Sequence, residues 1–386
     1  MNKESNMKRG NLSAVLAVTM CYLATASLGQ AKDYLYGSFL PPQSNVHKFG
    51  VEPFSADVKA ATNGSVNFRL RAGGQLFGAR ETLRSVGGGV ADAGVVIMSF
   101  TQTALKNVFT IVDLALLVDN PLAAQGAALE TIFFDCPECI ADFKRNNTVL
   151  LATYGLTPYV LMCNSDVKNL KDVHGKRVRT SGPNARWAKA MGGSPVGMSV
   201  ADMIEGIQRG QIDCIIGPIA WITNYKIESH IKSVIDFPMG VFLGAAHAVL
   251  SRNTWKNFSA AEQQAILRAA PKSTSGITLL GYYAESQKAR ASVQKRNIPV
   301  RKGGQEFREL LTRSKAGEMA AVIGAAKKRG VRDPQKIIDT FLGKVDKWHK
   351  IIADAKIDID NLDAAHATYS RILWENIYSK VDPAKM

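Results

Sequence analysis

The apolar positions of this chain change period at short intervals. Residues 34–39 alternate as a short strand, and 46–61 repeat at helical spacing until Asn63 and Gly64 close the run. Residues 66–70 alternate again, 72–75 turns on two glycines, and 79–86 returns to helical spacing. This alternation predicts a parallel sheet covered by helices, because parallel neighbours need a long crossover and a helix supplies it.

One device occurs twice. The helix around Glu81, Thr82 and Leu83 ends in Gly89-Val90-Ala91-Asp92 before the apolar stretch 93–98, and the helix around 202–206 ends in Gly210-Gln211-Ile212-Asp213 before 214–216. Glycine suits the left-handed residue that stops a helix, and the aspartate falls in the turn feeding the strand. Two copies with the same flanks predict two similar α/β lobes. Between them, 176–179 reads as a strand, Pro183 as a first-turn proline, 196–198 as another strand, and Ser199 with Asp202 as a capping-box helix start.

From Trp255 onward helical spacing dominates, over 259–270, 276–296, 305–328, 334–355 and 362–379. No low-complexity linker divides these segments, so the chain is expected to cross between lobes more than once. The expected division is lobe I over 32–157 with 245–285, lobe II over 158–244 with 286–330, and a helical extension over 331–386 that packs across a lobe or mediates dimerisation. The expected fold class is α/β and two-lobed, with a ligand cleft between the lobes and a helical C-terminal region.

Lys3, Lys8 and Arg9 precede an apolar run over 12–23 and the small residues 24–26, which is the layout of a secretory signal peptide cleaved after Ala26 or Ala31. No later stretch reaches the roughly 18 apolar residues of a membrane span, so the mature chain is expected to be exported and soluble. The net charge of +15 is dispersed and lacks aromatic-basic interleaving, which argues against nucleic acid and for attraction of small anions. Four cysteines lie beyond the leader: Cys136, Cys139, Cys163 and Cys214. Cys136-Pro137-Glu138-Cys139 follows the helix-like run 122–134, whereas a redox motif should open a helix after a strand; it reads as a local disulfide or two free thiols. With no second C-x-x-C and only scattered histidines, no metal or other cofactor is expected.

Residues 175–182 (GKRVRTSG) run straight into Pro183. A strand ending in Arg179-Thr180 at a Gly-Pro helix start puts a guanidinium beside free backbone N–H groups, a place for an anion. The blocks 170–180 (LKDVHGKRVRT), 191–198 (MGGSPVGM) and 201–213 (ADMIEGIQRGQID) resemble the signature of solute-binding proteins of tripartite ATP-independent periplasmic (TRAP) transporters. Residues 73–78 (GGQLFG), 224–230 (NYKIESH) and 248–255 (AVLSRNTW), leading into 259–264 (SAAEQQ), match in order and spacing, so the likeness runs roughly from 34 to 355.

The resemblance implies a type II-like periplasmic binding protein, a receptor and not an enzyme, that closes by a hinge on an organic acid and hands it to membrane permease subunits. It also implies that Arg179 grips the ligand carboxylate. A guanidinium presents a planar fork of donors to two carboxylate oxygens, in a charge-assisted pair about twice as strong as a neutral hydrogen bond. The same fold also serves as the sensing half of signalling systems, and a thiol oxidoreductase on Cys136 and Cys139 is a further, less favoured reading.

Departures from the family pattern bear on which acid is bound. Relatives carry a second arginine shortly after the glycine equivalent to Gly155, where this chain has Leu156-Thr157-Pro158-Tyr159, and a Glu-Asn pair before the proline at Pro218, where it has Ile216-Gly217. An aromatic two residues before the capping acid is here Val200. A second carboxylate or a sugar acid would leave buried polar groups unpaired in such a site, so a monocarboxylate with an apolar or aromatic body is expected. The expected site comprises Arg179 with Gln75, Met98, Ser99, Thr157, Tyr159, Trp187, Met198, Gly217 and Trp221. The chain is expected to work as a monomer or dimer.

Overall fold

The computed structural model describes residues 32–386, and the expected leader lies outside them. The strands are β1 (Lys32–Gly37), β2 (Val66–Arg71), β3 (Ala93–Ile97), β4 (Thr148–Tyr154), β5 (Val160–Cys163), β6 (Arg177–Thr180), β7 (Ser194–Gly197), β8 (Cys214–Gly217), β9 (Ser233–Ile235), β10 (Ala245–Ser251) and β11 (Val300–Arg301). They form a five-stranded sheet of order β2-β1-β3-β10-β4 and a six-stranded sheet of order β11-β9-β5-β8-β6-β7.

The two sheets repeat one plan. In the first, β1 lies between its parallel partners β2 and β3; in the second, β6 lies between its parallel partners β7 and β8. Each sheet is then extended by an antiparallel strand, β10 on β3 and β5 on β8. These two strands arrive from the opposite sheet: β5 follows β4, and β10 follows β9. The chain therefore crosses between the halves, as its lack of a linker predicts.

The duplicated Gly-x-x-Asp device explains the shared plan. Gly89 and Gly210 both take the left-handed conformation, at φ +81° and +65°, and stop the preceding helices. Asp92 then exchanges two bonds with Leu35 of β1: the backbone N–H of Asp92 donates to the Leu35 carbonyl (2.9 Å), and its carboxylate accepts from the Leu35 N–H (2.9 Å). Asp213 does the same with Arg177 of β6, both at 2.8 Å. In each half the aspartate sets the register of the entering strand against its parallel neighbour.

Helices cover the sheets. In chain order they are α1 (Glu52–Ala61), α2 (Thr82–Gly87), α3 (Lys106–Val112), α4 (Pro121–Glu130), α5 (Pro137–Arg145), α6 (Asn184–Ala190), α7 (Val200–Gln208), α8 (Trp221–Asn224), α9 (Arg252–Asn257), α10 (Ala260–Ser275), α11 (Ala284–Lys295), α12 (Gln305–Lys328), α13 (Pro334–Asp354) and α14 (Leu362–Asn376). The capping box read in the sequence is present, Ser199 with Asp202 opening α7, and the structure adds a second, Ser259 with Glu262 opening α10. Among the described residues no helix is long and apolar enough to cross a membrane.

The C-terminal helices pack on their own chain, α13 against α4 and α14 against α10. A side chain at Gly126 would sit 2.3 Å from the Trp348 ring, so the glycine is what lets α13 lie close on α4. Glu130 accepts from the Trp348 indole (2.7 Å) and pairs with Lys344 and Lys347, which fixes the depth of that contact.

Both cysteine pairs are disulfides, Cys136 with Cys139 and Cys163 with Cys214. The second joins residues directly opposite each other on β5 and β8. The expectation that the C-x-x-C motif does not open a helix is corrected. Cys136 is the cap of α5, its sulfur accepting from the Cys139 N–H (3.2 Å), and Pro137 supplies the first helical position. The preceding segment is the helical turn Thr131–Asp135 rather than a strand.

Candidate ligand site

Arg179 lies on β6, its backbone fixed between Val196 of β7 and Ile215 of β8. It is only 2% exposed. The Met198 carbonyl accepts from its Nε (3.1 Å) and Nη2 (2.9 Å), while Nη1 is buried with no partner. The guanidinium faces the Trp221 ring, 5.0 Å from its centroid, a favourable placement for a cation on an aromatic face. Burial holds the pKa of Arg179 down to about 10, and the nearby Tyr159 and Tyr225 recover part of that shift. At neutral pH this is a buried cation with no carboxylate bonded to it and with Asp202 acting on it only from a distance, an arrangement that costs several kcal/mol unless an anion completes it.

The space beside Arg179 is a small cavity of about 30 Å³ bounded by both halves of the molecule, room for about one or two waters as the side chains now lie. Phe39, Ile97, Phe100, Tyr154 and Ala245 line it from the five-stranded side, and Tyr159, Arg179, Ser181, Val200 and Trp221 from the six-stranded side. Tyr225, Phe242 and Tyr282 complete the wall. Among the described residues Arg179 is the one charged residue of the lining, and the lining holds no Asp, Glu, Asn, Gln or His. Three buried donors without a partner converge on it: Arg179 Nη1, Trp221 Nε1 and the Tyr225 hydroxyl. The Tyr225 hydroxyl lies near Ser44 and Tyr282 without a hydrogen bond of good geometry, and burial pushes its pKa up to about 12, so it stays a neutral donor.

A larger groove of about 410 Å³ lies on the outside, lined by Lys106, Asp135, Glu138, Arg145, Arg332 and Lys336 among others. None of its lining residues has a buried polar atom left without a partner, so of the two spaces the one at Arg179 shows unmet bonding capacity.

Of the residues expected from sequence, Arg179, Tyr159 and Trp221 line the cavity together. Met198 contributes its carbonyl to Arg179 rather than its side chain. Gly217 acts by having no side chain, since a Cβ there would fall 2.3 Å from the Trp221 ring. Ser99 is buried with an unpaired hydroxyl against Gly182, whose φ of +57° and close approach to Ser99 suit glycine.

The structure places the others outside the lining. Met98 and Trp187 are buried in the core. Thr157 is buried with its hydroxyl on Ser286 (3.1 Å). Gln75 is exposed in the turn after β2. That turn acts at one remove, because the N–H groups of Gly73 and Gly74 bond the carbonyls of Leu40 (2.8 Å) and Ser38 (3.0 Å) and so hold the loop bearing Phe39.

Sequence reasoning did not single out Phe39, Phe100, Tyr154, Tyr225, Phe242 or Tyr282. Tyr225 lies inside the 224–230 block that carried the resemblance, and strand-end position could have pointed to Tyr154. Phe242 and Tyr282 reach the cavity from the connection into β10 and from the helical turn Gly276–Tyr283, which no local pattern announces.

Further bonds join the halves beside the cavity. The Asn224 side chain of α8 donates to the Asn45 amide oxygen (3.2 Å) and the Gln43 carbonyl (3.1 Å), and Arg80 donates to the Gly197 carbonyl (3.4 Å) while lying over Phe100. Among the described residues no group of three or more His, Cys, Asp or Glu is placed to hold a metal ion.

Two similar sheet-bearing halves around one buried cavity with an uncompensated cation define a two-lobed receptor for a small anion. The chain belongs to the bacterial extracellular solute-binding proteins, family 7 (DctP), whose sequence pattern it matches over residues 36–314. Solved structures share the fold. A TRAP solute-binding protein from Rhodoferax ferrireducens holding copurified benzoate matches at 19% identity and TM-score 0.72, over 83% of this chain and 99% of that one. One from Bordetella bronchiseptica with bound mandelate matches at 23% identity and TM-score 0.69, over 82% and 99%. One from a marine metagenome with copurified pyroglutamate matches at 19% and 0.70, over 81% and 99%.

Proposed function

We propose that this protein is the periplasmic receptor of a TRAP transporter, that it closes on one organic monocarboxylate with an apolar or aromatic body, and that it presents this acid to the membrane permease. The observation that carries the reading is Arg179: a cation 2% exposed, with one N–H unpaired, in a cavity that contains no second charge. A ligand carboxylate beside Nη1 would neutralise the guanidinium and accept from Trp221 Nε1 or the Tyr225 hydroxyl as well. One cation matches one carboxylate. A dicarboxylate would bury its second charge among aromatic rings, at a cost of several kcal/mol.

The lining also offers no acidic or amide acceptor for an ammonium group, so free amino acids are disfavoured by the same physics. Benzoate, mandelate and pyroglutamate, held by the solved relatives, are monocarboxylates without an ammonium, which supports the class. We take lobe I as 32–157 with 245–285 and lobe II as 158–244 with 286–330. The residues that line the cavity from the two sides follow that division, and the cross-cavity bonds of Asn224 and Arg80 are the ones closure would form.

The test is a thermal-shift and calorimetric screen with benzoate, phenylacetate, mandelate, pyroglutamate, succinate and phenylalanine, alongside mass spectrometry of whatever acid co-purifies. Binding confined to monocarboxylates lacking an ammonium is expected. Stabilisation by succinate or phenylalanine alone would overturn the assignment.

A further inference from the structure

We propose that Arg186 is a positioning residue for ligand retention, one that locks the closed arrangement by tying both halves to α12 without touching the ligand. The proposal rests on the closure reading above. Arg186 sits on α6, which packs on β6 and β7 and so moves with Arg179. Its Nη1 donates to the Asp113 carboxylate (2.9 Å) and its Nη2 to the Asp113 backbone carbonyl (3.0 Å), at the C-terminal end of α3. The same guanidinium reaches Glu318 of α12 through Nε (3.2 Å) and Nη2 (2.5 Å). Arg329 completes the group by donating to the other Asp113 oxygen (3.1 Å) while lying over Phe109.

The helix α12 spans the two halves. It begins beside the six-stranded sheet, where Phe307 packs against Phe237 and the Glu306 carboxylate accepts from the Leu170 N–H (2.9 Å). Just past its other end, the Gly330 carbonyl accepts from Lys106 Nζ of α3 (2.6 Å). Arg186 meets α12 between these attachments, so separating the two lobes pulls α6 away from Asp113 while Glu318, in the same lobe as Arg186, stays with it.

The two carboxylates are not equivalent. Asp113 has two arginines, whereas Glu318, with 5% of its side chain exposed, has Arg186 as its one cation among the described residues. Opening parts Arg186 from Asp113 and leaves it with Glu318, so the bonds to Asp113 exist only in the closed state. Loss of Arg186 therefore penalises the closed form selectively, which raises the dissociation rate and spares the encounter rate.

The experiment measures association and dissociation rates of benzoate, phenylacetate and pyroglutamate on the full mature chain, together with the melting temperature of the ligand-free protein. For Arg186→Met the dissociation rate should rise about 10- to 100-fold with association within about threefold. Arg186→Lys, which keeps the charge and loses the fork, should fall between. The double variant Arg186→Met with Asp113→Asn should dissociate no faster than the faster of the two single variants, because the two residues act through one contact. Asp113→Asn, which preserves shape, should raise dissociation by itself and keeps the idea testable should Arg186→Met fold poorly.

Unchanged dissociation in Arg186→Met and Asp113→Asn, or a double variant in which the two single effects multiply, refutes the lock and leaves the receptor assignment standing. A parallel fall in the melting temperature of the ligand-free variants refutes it too, since the role would then be structural. Failure of the unsubstituted protein to bind any of the three acids removes the monocarboxylate reading itself, and this inference with it.

Discussion

The Arg179 guanidinium lies 5.0 Å from the Trp221 ring centroid, and each of these side chains ends in a buried N–H that no protein atom accepts. The aromatic face and the Met198 carbonyl hold the cation in place without neutralising it. Such a group is poised for an anion and is a liability to the empty fold, a trade of stability for binding common at functional sites.

Arg179→Met should therefore separate the two properties. Calorimetry should show a loss of about 3–5 kcal/mol in binding, effectively abolishing it, while the ligand-free protein keeps its stability or gains about 1–2 kcal/mol. Affinity in the unsubstituted protein should stay flat across neutral pH. The Arg179 pKa is lowered in the free protein and a bound carboxylate raises it again, so affinity is present below about 10 and is lost as the pH climbs through that value. A variant that melts far lower yet still binds would contradict this account.

Gly217→Ala should weaken binding without adding any contact to the ligand. The new methyl would lie 2.3 Å from the Trp221 ring and must push the indole toward the cavity. An affinity loss of about tenfold or more is expected, with about 1–3 kcal/mol of destabilisation from overpacking. Titration calorimetry and urea unfolding measure the two.

His247 should make the fold acid-sensitive. It sits in an irregularity of β10 between Ala246 and Ala248, fully buried, with Nε2 on Ser273 (2.7 Å) and Nδ1 without a partner. Burial lowers its pKa to about 3. The unfolded chain takes up the proton near the ordinary value of 6.5 and the folded one does not. Stability is thus complete above about 6.5 and declines as the pH falls toward 3, by a total of order 5 kcal/mol. Urea midpoints at pH 7, 5.5 and 4.5 should trace the decline, and His247→Asn should flatten it.

The Cys163–Cys214 bridge should contribute to stability and not to recognition. It is buried and ties β5 to β8 at a sequence separation of 51. On loop-closure grounds Cys163→Ser with Cys214→Ser should lose about 3–4 kcal/mol, or less where strain intervenes. Affinity for the ligand should hold within a few-fold as long as the double variant is folded. A titration of the native protein with a thiol reagent should find Cys136, Cys139, Cys163 and Cys214 all unreactive.

Much of the architecture was legible because it is written in local periods. The twin Gly-x-x-Asp segments gave the two-fold repetition, and the structure shows each aspartate bonding the neighbouring strand's backbone in the same way. The strands β4, β5 and β10 went unread, because they are buried on both faces and their apolar residues run on without alternation. The start of α5 at Cys136 was misjudged for a related reason: an unbroken helical spacing over 122–134 concealed the turn that ends before it.

The sequence by itself determined the α/β composition, the repeat, the family and the arginine that faces the cavity, since each rests on residues near one another in the chain. Only the tertiary structure decided which aromatic rings wall the cavity, that Met98, Thr157, Trp187 and Gln75 stand outside it, and that Arg186 meets Glu318 and Asp113. Those facts depend on distant segments arriving at one point: Phe39, Phe242 and Tyr282 come from three separate connections. No local period encodes where such crossings end, because their positions are set by how the two sheets and α12 pack together.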